Sequence, residues 1–285
     1  MTEEFKKRNA AQTTQILEDA GVPRISYLSL EKYPWLVNAF STRMGGISTG
    51  IYESMNLTFT TGDDPGNVKE NFRIFGDSLG ISREQMVFAD QKHTVNVMQV
   101  SSANGGEGII RERSFSAMDG IMTDEPGVCL VTSYADCVPL YFVDPVHRAI
   151  ALSHSGWRGT IGNICKNTVE MMHEKYGSDP SEMITCIGPS ICADCYEVGS
   201  DVADVFIDVY EPDSGVVLPH NGNVPGKFQL DLTKANFINM KKAGIPDGNI
   251  SVPDLCTCCN SKYLHSHRGS NGKRGGLCAF LMIRE

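Results

Sequence analysis

Short apolar runs separated by turn residues dominate the middle of the chain. Such runs, rich in Val, Ile, Leu and aromatic residues and bounded by Asp, Gly or Pro, are typical of buried strands. The densest group predicts four strands, at 119–123, 128–133, 138–143 and 149–153. Similar runs predict further strands at 35–41, 86–89, 95–100, 183–187 and 277–283. The pattern therefore predicts a chain built around β-sheet.

Helical spacing of apolar residues is clearest after an Asp-Asp-Pro sequence. Val68 and Phe72 begin a series of apolar positions that share one helix face. Asp64 is a suitable N-cap and Pro65 suits the first turn, so the pattern predicts a helix over 66–79. Further helices are predicted at 160–176, 198–209 and 232–242.

The N-terminal segment has a different pattern from the rest of the chain. Residues 3–20 are polar with isolated apolar side chains, and Gly21 and Pro23 follow. This pattern predicts a weakly amphipathic helix with a stop signal. No internal repeat or long linker divides the remainder. We therefore expect an N-terminal helical extension, residues 1–24, and a single catalytic domain, residues 25–285, of mixed α/β class.

Composition and charge exclude several classes of protein. The 285 residues can form one large core or two small ones, and 41% hydrophobic with 21% charged residues is ordinary for a globular protein. The formal net charge of −9 disfavours nucleic acid and anionic membranes as partners. Neither a phosphate-binding G-x-x-x-x-G-K-[ST] loop nor a G-x-G-x-x-G sequence after a strand occurs, so ATP- and NAD-dependent chemistry is not predicted.

The N-terminus also bears on the cellular compartment. It is polar and lacks the apolar core of a secretory signal, which predicts a cytoplasmic protein. In a reducing compartment the ten cysteines would stay thiols or bind metal.

Three residues at the ends of predicted strands form the strongest candidate site. His93, Cys137 and His154 each lie in a turn, where a rigid scaffold usually presents functional groups. Catalytic zinc uses three protein ligands and keeps a fourth position open, and one Cys with two His fits that rule. Bound zinc would lower the pKa of its water to about 7.

Other interpretations of these three residues stay open at this point. The same ligand types form blue-copper sites, but no Met lies at a clustered spacing to complete one. Cys137 with His93 or His154 could instead be a thiolate–imidazolium pair for acyl transfer. The three side chains could also be structural, with Cys137 a small buried apolar residue.

Several ordered segments resemble a known family. The matching segments are 40–48 (FSTRMGGIS), 54–57 (SMNL), 91–93 (QKH), 135–139 (ADCVP), 154–159 (HSGWRG), 187–191 (IGPSI), 195–199 (CYEVG), and 254–259 (DLCTCC) with 266–268 (SHR). The chain is therefore similar, over roughly residues 27–285, to the multicopper polyphenol oxidase or laccase-domain family, which is now associated with purine nucleoside phosphorylase activity. Two short stretches depart from its pattern: Gly269-Ser270 stands for Arg-Asp, and Lys273-Arg274-Gly275 stands for Gly-Arg-Met.

The resemblance implies both a fold and an activity. It implies a layered α/β/β/α domain with zinc on His93, Cys137 and His154 as metal ligands and catalytic centre. It implies a phosphorylase of broad specificity that splits adenosine, inosine or 5′-methylthioadenosine with phosphate, as a monomer or homodimer. Adenosine deamination is an associated activity, since zinc-bound hydroxide can attack C6 of adenine.

Competing functions belong to other classes. A cysteine-type hydrolase or amidase, including one that edits peptidoglycan precursors, would use Cys137 as its nucleophile. A copper-dependent polyphenol oxidase would hold copper in place of zinc. A partner-binding protein would have no catalytic role for these residues.

Substrate contacts are predicted at several further residues. Arg43 and Arg158 lie in Gly-flanked turns, and their guanidinium groups suit phosphate, although surface ion pairs are the alternative. The resemblance favours phosphate binding, because phosphorolysis requires a cation for phosphate. Arg268 follows the same argument, and Asn56 either binds substrate or stabilises a turn. Trp157 could stack on a purine, but a core position is the preferred interpretation.

Two groups of cysteines are candidates for additional sites. The C-terminal group departs from structural zinc spacing, so burial of most of its members is predicted. Its members are Cys256, Cys258, Cys259, His265 and His267. The C-x-x-C sequence at 192–195 has redox spacing but lacks a thioredoxin-like context, so no redox role is predicted.

Overall fold

The computed structural model describes residues 5–8 and 12–284. Two six-stranded sheets form the centre of the molecule, and helices cover their outer faces. This arrangement is the predicted mixed α/β fold with α/β/β/α layers. In the described part of the chain, no helix has both the length and the apolar character that crossing a membrane requires.

The first sheet is antiparallel except at one edge, where the strand Met86–Phe88 runs parallel to the strand Cys129–Tyr134. In spatial order its strands are β1 (Thr14–Asp19), β2 (Val22–Tyr27), β3 (Leu36–Ser41), β15 (Leu277–Ile283), β7 (Cys129–Tyr134) and β4 (Met86–Phe88). Side chains of β15 alternate between two cores: Leu281 faces the second sheet, and Phe280 faces the outer helix layer. Because both faces are buried, the strand appears in the sequence as a continuous apolar run.

The second sheet lies against the first and carries the candidate site. In spatial order its strands are β14 (Ile250–Ser251), β10 (Ile184–Ile187), β8 (Val138–Asp144), β9 (Ala149–Ser155), β6 (Gly120–Thr123) and β5 (Val97–Gln99). Tyr141 and Ile150 point into the core between the sheets, where Tyr27 and Phe40 of the first sheet meet them. A small third sheet contains β11 (Glu197–Gly199), β13 (Lys227–Leu230) and β12 (Val217–Pro219).

Among the described residues, five α-helices complete the layers: α1 (Pro65–Leu79), α2 (Trp157–Ile161), α3 (Ile164–Tyr176), α4 (Ser200–Val209) and α5 (Leu232–Lys242). The predicted cap of α1 is confirmed, because the Asp64 side chain accepts a hydrogen bond from the Gly66 amide. Such a cap stabilises a helix by about 1 kcal/mol. Phe75 of α1 packs on Phe280 with ring centroids 4.7 Å apart.

The helix predicted over 160–176 is divided in the structure. Helix α2 ends at Ile161, and Asn163 adopts a left-handed conformation (φ 59°) before α3 begins. The Asn163 side chain accepts a hydrogen bond from the Lys166 amide and caps the new helix. The helix predicted over 198–209 begins later, at Ser200, because Val198 belongs to β11.

The N-terminal helix prediction is wrong for the residues that the structure describes. Thr14–Asp19 form strand β1, which pairs with β2 through a two-residue turn. Ala20 and Gly21 both have positive φ in this turn, a combination typical of tight hairpins. Gly21 is therefore a hairpin residue and not a helix stop. Residues 3, 4 and 9–11 of the predicted helix lie outside the described residues, and the proposed division at residue 24 stays a prediction.

Candidate active site

The imidazole of His154 is fixed by a buried carboxylate. His154 lies near the end of β9, and its Nδ1 is 2.8 Å from Oδ1 of Asp119, the residue that precedes β6. The adjacent pairing of β6 and β9 brings the two residues together. Burial lowers the pKa of His154, but its interactions with the Cys137 sulfur and the Asp119 carboxylate outweigh that effect and raise the pKa to about 9. Because Nδ1 faces Asp119, Nε2 is left to face the other site residues.

Asp119 also shapes the corner that presents His93. The backbone amides of Lys92, His93 and Thr94 donate to its carboxylate over 3.0, 3.0 and 2.8 Å. His93 has a positive φ of 60°, and this ring of amide donors holds the unusual backbone in place. Burial raises the pKa of Asp119, but the hydrogen bonds from His154 and the amides lower it to about 2. One ionised carboxylate thus positions both histidines.

Cys137 lies in the turn between β7 and β8. The preceding residue, Asp136, has a positive φ of 88°, and its carboxylate accepts hydrogen bonds from Thr257 Oγ1 (2.6 Å) and the Arg268 amide (2.7 Å). The turn that presents the thiol is therefore tied to the C-terminal part of the chain.

The three predicted ligands converge in the structure. One potential ligand atom from each of His93, Cys137 and His154 lies within 4.8 Å of the others, and the two imidazole centroids are 4.9 Å apart. Gly156 borders the group: a Cβ there would lie 2.7 Å from His93 Nδ1 and 3.1 Å from Cys137 Sγ. This donor set suits a metal ion, because two imidazoles and a thiolate converge and a carboxylate orients one imidazole from behind.

A cavity of about 280 Å³ opens onto this group. Its lining combines aromatic, apolar and cationic side chains, which suits a flat polar ligand with an anionic partner. The lining residues are His93, Ala135, Asp136, Cys137, Trp157, Ile191, Tyr196, Leu232, His267, Arg268 and Arg274. A larger cavity, of about 560 Å³, lies beside β4 and contains none of the three ligands. The smaller cavity is the candidate active site because the potential metal ligands His93 and Cys137 line it.

Two residues that were predicted to contact substrate do not line this cavity. Their side chains form hydrogen bonds with backbone groups of other segments. Arg43 donates from Nε to the Glu53 carbonyl (2.7 Å) and from Nη1 to the Ser261 carbonyl (3.1 Å). Asn56 is fully buried, and its Oδ1 accepts from the Gly276 amide over 2.8 Å. Of the two roles weighed for Asn56, these contacts favour stabilisation of a turn.

The other two predicted arginines lie near the cavity. Arg158 is exposed, with its guanidinium carbon 4.3 Å from the centroid of the Trp157 ring. Arg268 lines the cavity, and both of its terminal nitrogens donate to the Glu197 carbonyl over 2.9 Å. Trp157 is half-buried: it packs against the outer core of the second sheet and also lines the cavity.

Arg274 and Asp119 are site residues that the sequence interpretation missed. Arg274 lines the cavity, and its buried Nε finds no hydrogen-bond partner among the described residues. Burial lowers its pKa, opposed by Asp136 and Cys137. The sequence feature that could have identified Arg274 was its position in segment 273–275, which departs from the family pattern. Asp119 had no local signal, because its role depends on strand pairing.

The burial predicted for the C-terminal cysteine group is only partly correct. Cys256 and His265 are buried, whereas Cys258 is half-buried and Cys259 and His267 are exposed. Cys256 and Cys259 instead lie beside the other cysteine pair, Cys192 and Cys195, with all four sulfurs within 4.8 Å of one another. The sequence interpretation of the spacing was therefore wrong for Cys256 and Cys259, which form a C-x-x-C pair. Its partner pair was concealed because it lies far away in the sequence.

Comparisons with known proteins identify relatives over most of the chain. The "Purine nucleoside phosphorylase YlmD" of Geobacillus stearothermophilus is 35% identical over 250 residues, which is 87% of this chain and 90% of the relative. An "Adenosine deaminase RL5" from an unknown prokaryotic organism is 32% identical over 234 residues, covering 81% of this chain and 88% of the relative.

Structural similarity is equally extensive. The crystal structure of YlmD from Geobacillus stearothermophilus superposes with a TM-score of 0.86 at 34% identity, covering 96% of this chain and all of the other. The family model described as "Multi-copper polyphenol oxidoreductase laccase" matches residues 37–284. The chain therefore belongs to the multi-copper polyphenol oxidoreductase laccase family.

Proposed function

We propose that this protein is a zinc-dependent purine nucleoside phosphorylase of broad specificity. It splits adenosine, inosine or 5′-methylthioadenosine with phosphate into the free base and a pentose 1-phosphate. The observation that carries the proposal is the convergence of His93, Cys137 and His154 at a cavity that also presents aromatic and cationic side chains. The named activities of the relatives support the substrate class.

The residues of the metal site have two different roles. His93, Cys137 and His154 would hold zinc, and Asp119 fixes the tautomer of His154 by accepting from Nδ1. When bound, zinc supplies a Lewis acid and a water of lowered pKa. Zinc is preferred to copper because no Met among the described residues lines the cavity at this group to act as a weak axial ligand.

The cavity walls supply recognition of both substrates. Trp157 and Tyr196 present aromatic surfaces on which a purine can stack. Arg274 is the best-suited phosphate ligand, because its Nε has no partner in the described structure and it faces the same cavity. Arg268 and Arg158 add positive charge nearby, while Arg43 is held by backbone carbonyls. Binding the two substrates side by side converts their reaction into a unimolecular step.

The direct test is turnover of adenosine and inosine with and without phosphate, followed by separation of bases, nucleosides and sugar phosphates. We expect free base and pentose 1-phosphate only when phosphate is present, and no products from the His154→Ala variant. Elemental analysis of the same preparation should show zinc. Base release that is independent of phosphate would contradict the phosphorylase assignment.

Adenosine deamination is a second candidate activity, favoured by the relative named as an adenosine deaminase. Conversion of adenosine to inosine without phosphate would reveal it. A cysteine hydrolase is distinguished by chelation. If activity survives complete zinc removal but is lost in Cys137→Ser, the thiol is the nucleophile and the zinc proposal is wrong.

A further inference from the structure

Four cysteines form a second cluster, outside the candidate active site. They come from two C-x-x-C sequences: Cys192 with Cys195 follows β10, and Cys256 with Cys259 lies in the C-terminal part of the chain. Pairs of cysteines separated by two residues are the usual spacing in structural zinc sites. Neither pair alone identifies a site, but the fold brings the two pairs together.

Backbone contacts explain why the two pairs meet. Ser190 and Cys256 form a parallel β-bridge, and the Thr257 amide donates to the Ser190 carbonyl over 3.1 Å. Each pair is then bent into a turn. The Cys195 amide donates to the Cys192 carbonyl over 3.1 Å, and the Asn260 amide donates to the Cys256 carbonyl over 3.2 Å. All four thiols consequently point toward one location.

The sulfur separations fit a shared metal ion better than a disulfide. Cys195 Sγ and Cys259 Sγ are 3.5 Å apart, and Cys192 Sγ and Cys259 Sγ are 4.0 Å apart. Tetrahedral zinc with Zn–S bonds of about 2.3 Å places its sulfurs about 3.8 Å from one another. A disulfide requires about 2.05 Å, and all of these cysteines are free.

Backbone donors also point at the cluster. The amides of Cys192 and Cys259 donate to Cys256 Sγ over 3.2 and 3.4 Å. Amides in this position stabilise the negative charge that a cysteine sulfur carries when it binds a metal ion.

We propose that Cys192, Cys195, Cys256 and Cys259 bind a structural zinc ion through a closed shell of four thiolates. With all four positions filled by protein, this ion has no place for water or substrate and takes no direct part in chemistry. It joins the segment after β10 to the C-terminal segment. Ile191, Tyr196 and Arg268 of these segments line the catalytic cavity, so the ion fixes one wall of it.

The test separates the two metal groups in the full-length protein. We expect about two zinc ions per chain in protein purified under reducing conditions, and about one in the His93→Ala/His154→Ala double variant, which retains every cysteine. X-ray absorption of zinc in that variant should show about four sulfur neighbours at about 2.3 Å. Because this variant leaves the four-cysteine cluster intact, its result does not depend on the proposed catalytic activity.

Cysteine variants provide the complementary measurement. Cys195→Ser and Cys259→Ser should each lower zinc to about one per chain. Cys258→Ser is the matched control, since this residue lies between two of the proposed ligands but outside the cluster, and it should retain both ions.

Three outcomes would overturn the proposal. They are a double histidine variant that contains no zinc, a nitrogen-rich shell in its absorption spectrum, and a Cys195–Cys259 disulfide in freshly purified reduced protein, detected as a mass lower by two hydrogens.

Discussion

Oδ1 of Asp119 lies 2.8 Å from Nδ1 of His154, and the same carboxylate accepts the amide of His93 over 3.0 Å. One side chain therefore positions two of the three proposed metal ligands. Carboxylates behind metal-bound histidines usually contribute 10–100-fold to metal affinity or activity. This relationship makes Asp119 the most informative residue to change outside the ligand set.

Asp119→Asn should weaken zinc binding about 10–100-fold and lower kcat/KM for phosphorolysis by a similar factor. The amide can no longer offer two acceptor oxygens to His154 and the three backbone donors. Competition with a chromophoric chelator measures the affinity. Asp90→Asn is the control, because Asp90 accepts a hydrogen bond from the nearby Ala117 amide but does not contact His154. Equal affinities in wild type and Asp119→Asn would contradict this role.

Gly156→Ala should abolish metal binding at the three-ligand site while the protein stays folded. The added methyl would lie 2.7 Å from His93 Nδ1 and would displace a ligand. Gly248→Ala is the matched control, since a Cβ there meets nothing within 4 Å. Zinc content and the circular dichroism spectrum are the measurements. Full zinc occupancy of this site in Gly156→Ala would show that the ring of His93 has room to move.

Arg274→Met should raise the KM for phosphate about 10–100-fold, with a much smaller effect on the KM for nucleoside. Loss of a charged hydrogen-bond donor typically costs about 1.5–3 kcal/mol, and about 1.4 kcal/mol corresponds to tenfold. Arg73→Met, on the exposed face of α1, should leave both constants unchanged. Both KM values are measured from initial rates, with the concentrations of phosphate and nucleoside varied independently. An unchanged KM for phosphate would contradict this role of Arg274 and would make Arg158 and Arg268 the leading candidates for phosphate binding.

A buried histidine should make the protein sensitive to mild acid. Burial, followed by the charges of Arg43 and Arg274, lowers the pKa of His265 to about 3 from an ordinary value of 6.5. The unfolded chain therefore binds more protons than the folded one between these values. The contribution of neutral His265 to stability is complete above pH 6.5 and is lost as the pH falls toward 3, by at most about 1.4 kcal/mol per pH unit.

His265→Gln removes this titration, so the free energy of unfolding should depend less steeply on pH between 6.5 and 4 than in wild type. Denaturant unfolding of metal-free protein at several pH values measures the difference. Exposed His173 offers the control, and His173→Gln should keep the wild-type slope. Parallel curves for wild type and His265→Gln would contradict the assignment.

Much of the central fold could be predicted from the sequence because its strands are buried on both faces. Strands β7, β8, β9 and β15 appear as continuous apolar runs, and the cap of α1 has a local signal in Asp64. The errors occur where a tight turn overrides the apolar pattern. Strand β1 is set by its hairpin turn with β2, and residues 160–176 are divided by the left-handed conformation of Asn163.

The candidate site was also predictable only in part. The proposed ligands His93, Cys137 and His154 were identifiable because each lies close to a predicted strand and within a family motif. The role of Asp119 depends on the pairing of β6 with β9, and the meeting of Cys192 with Cys256 depends on a bridge between segments 64 residues apart. Sequence reveals residue types and local spacing, whereas the support around a site requires the fold.

The position of β15 has a consequence for how this protein is made. This strand lies between β3 and β7, so the first sheet remains in two separate parts until residues 277–283 have been synthesised. On the ribosome, the edges of β3 and β7 that pair with β15 lack their partner until this strand emerges. Unpaired strand edges favour aggregation, so we expect nascent chains without β15 to be exposed to chaperones and to aggregation. Pairing of β15 then joins β1, β2 and β3 to the centre of the molecule.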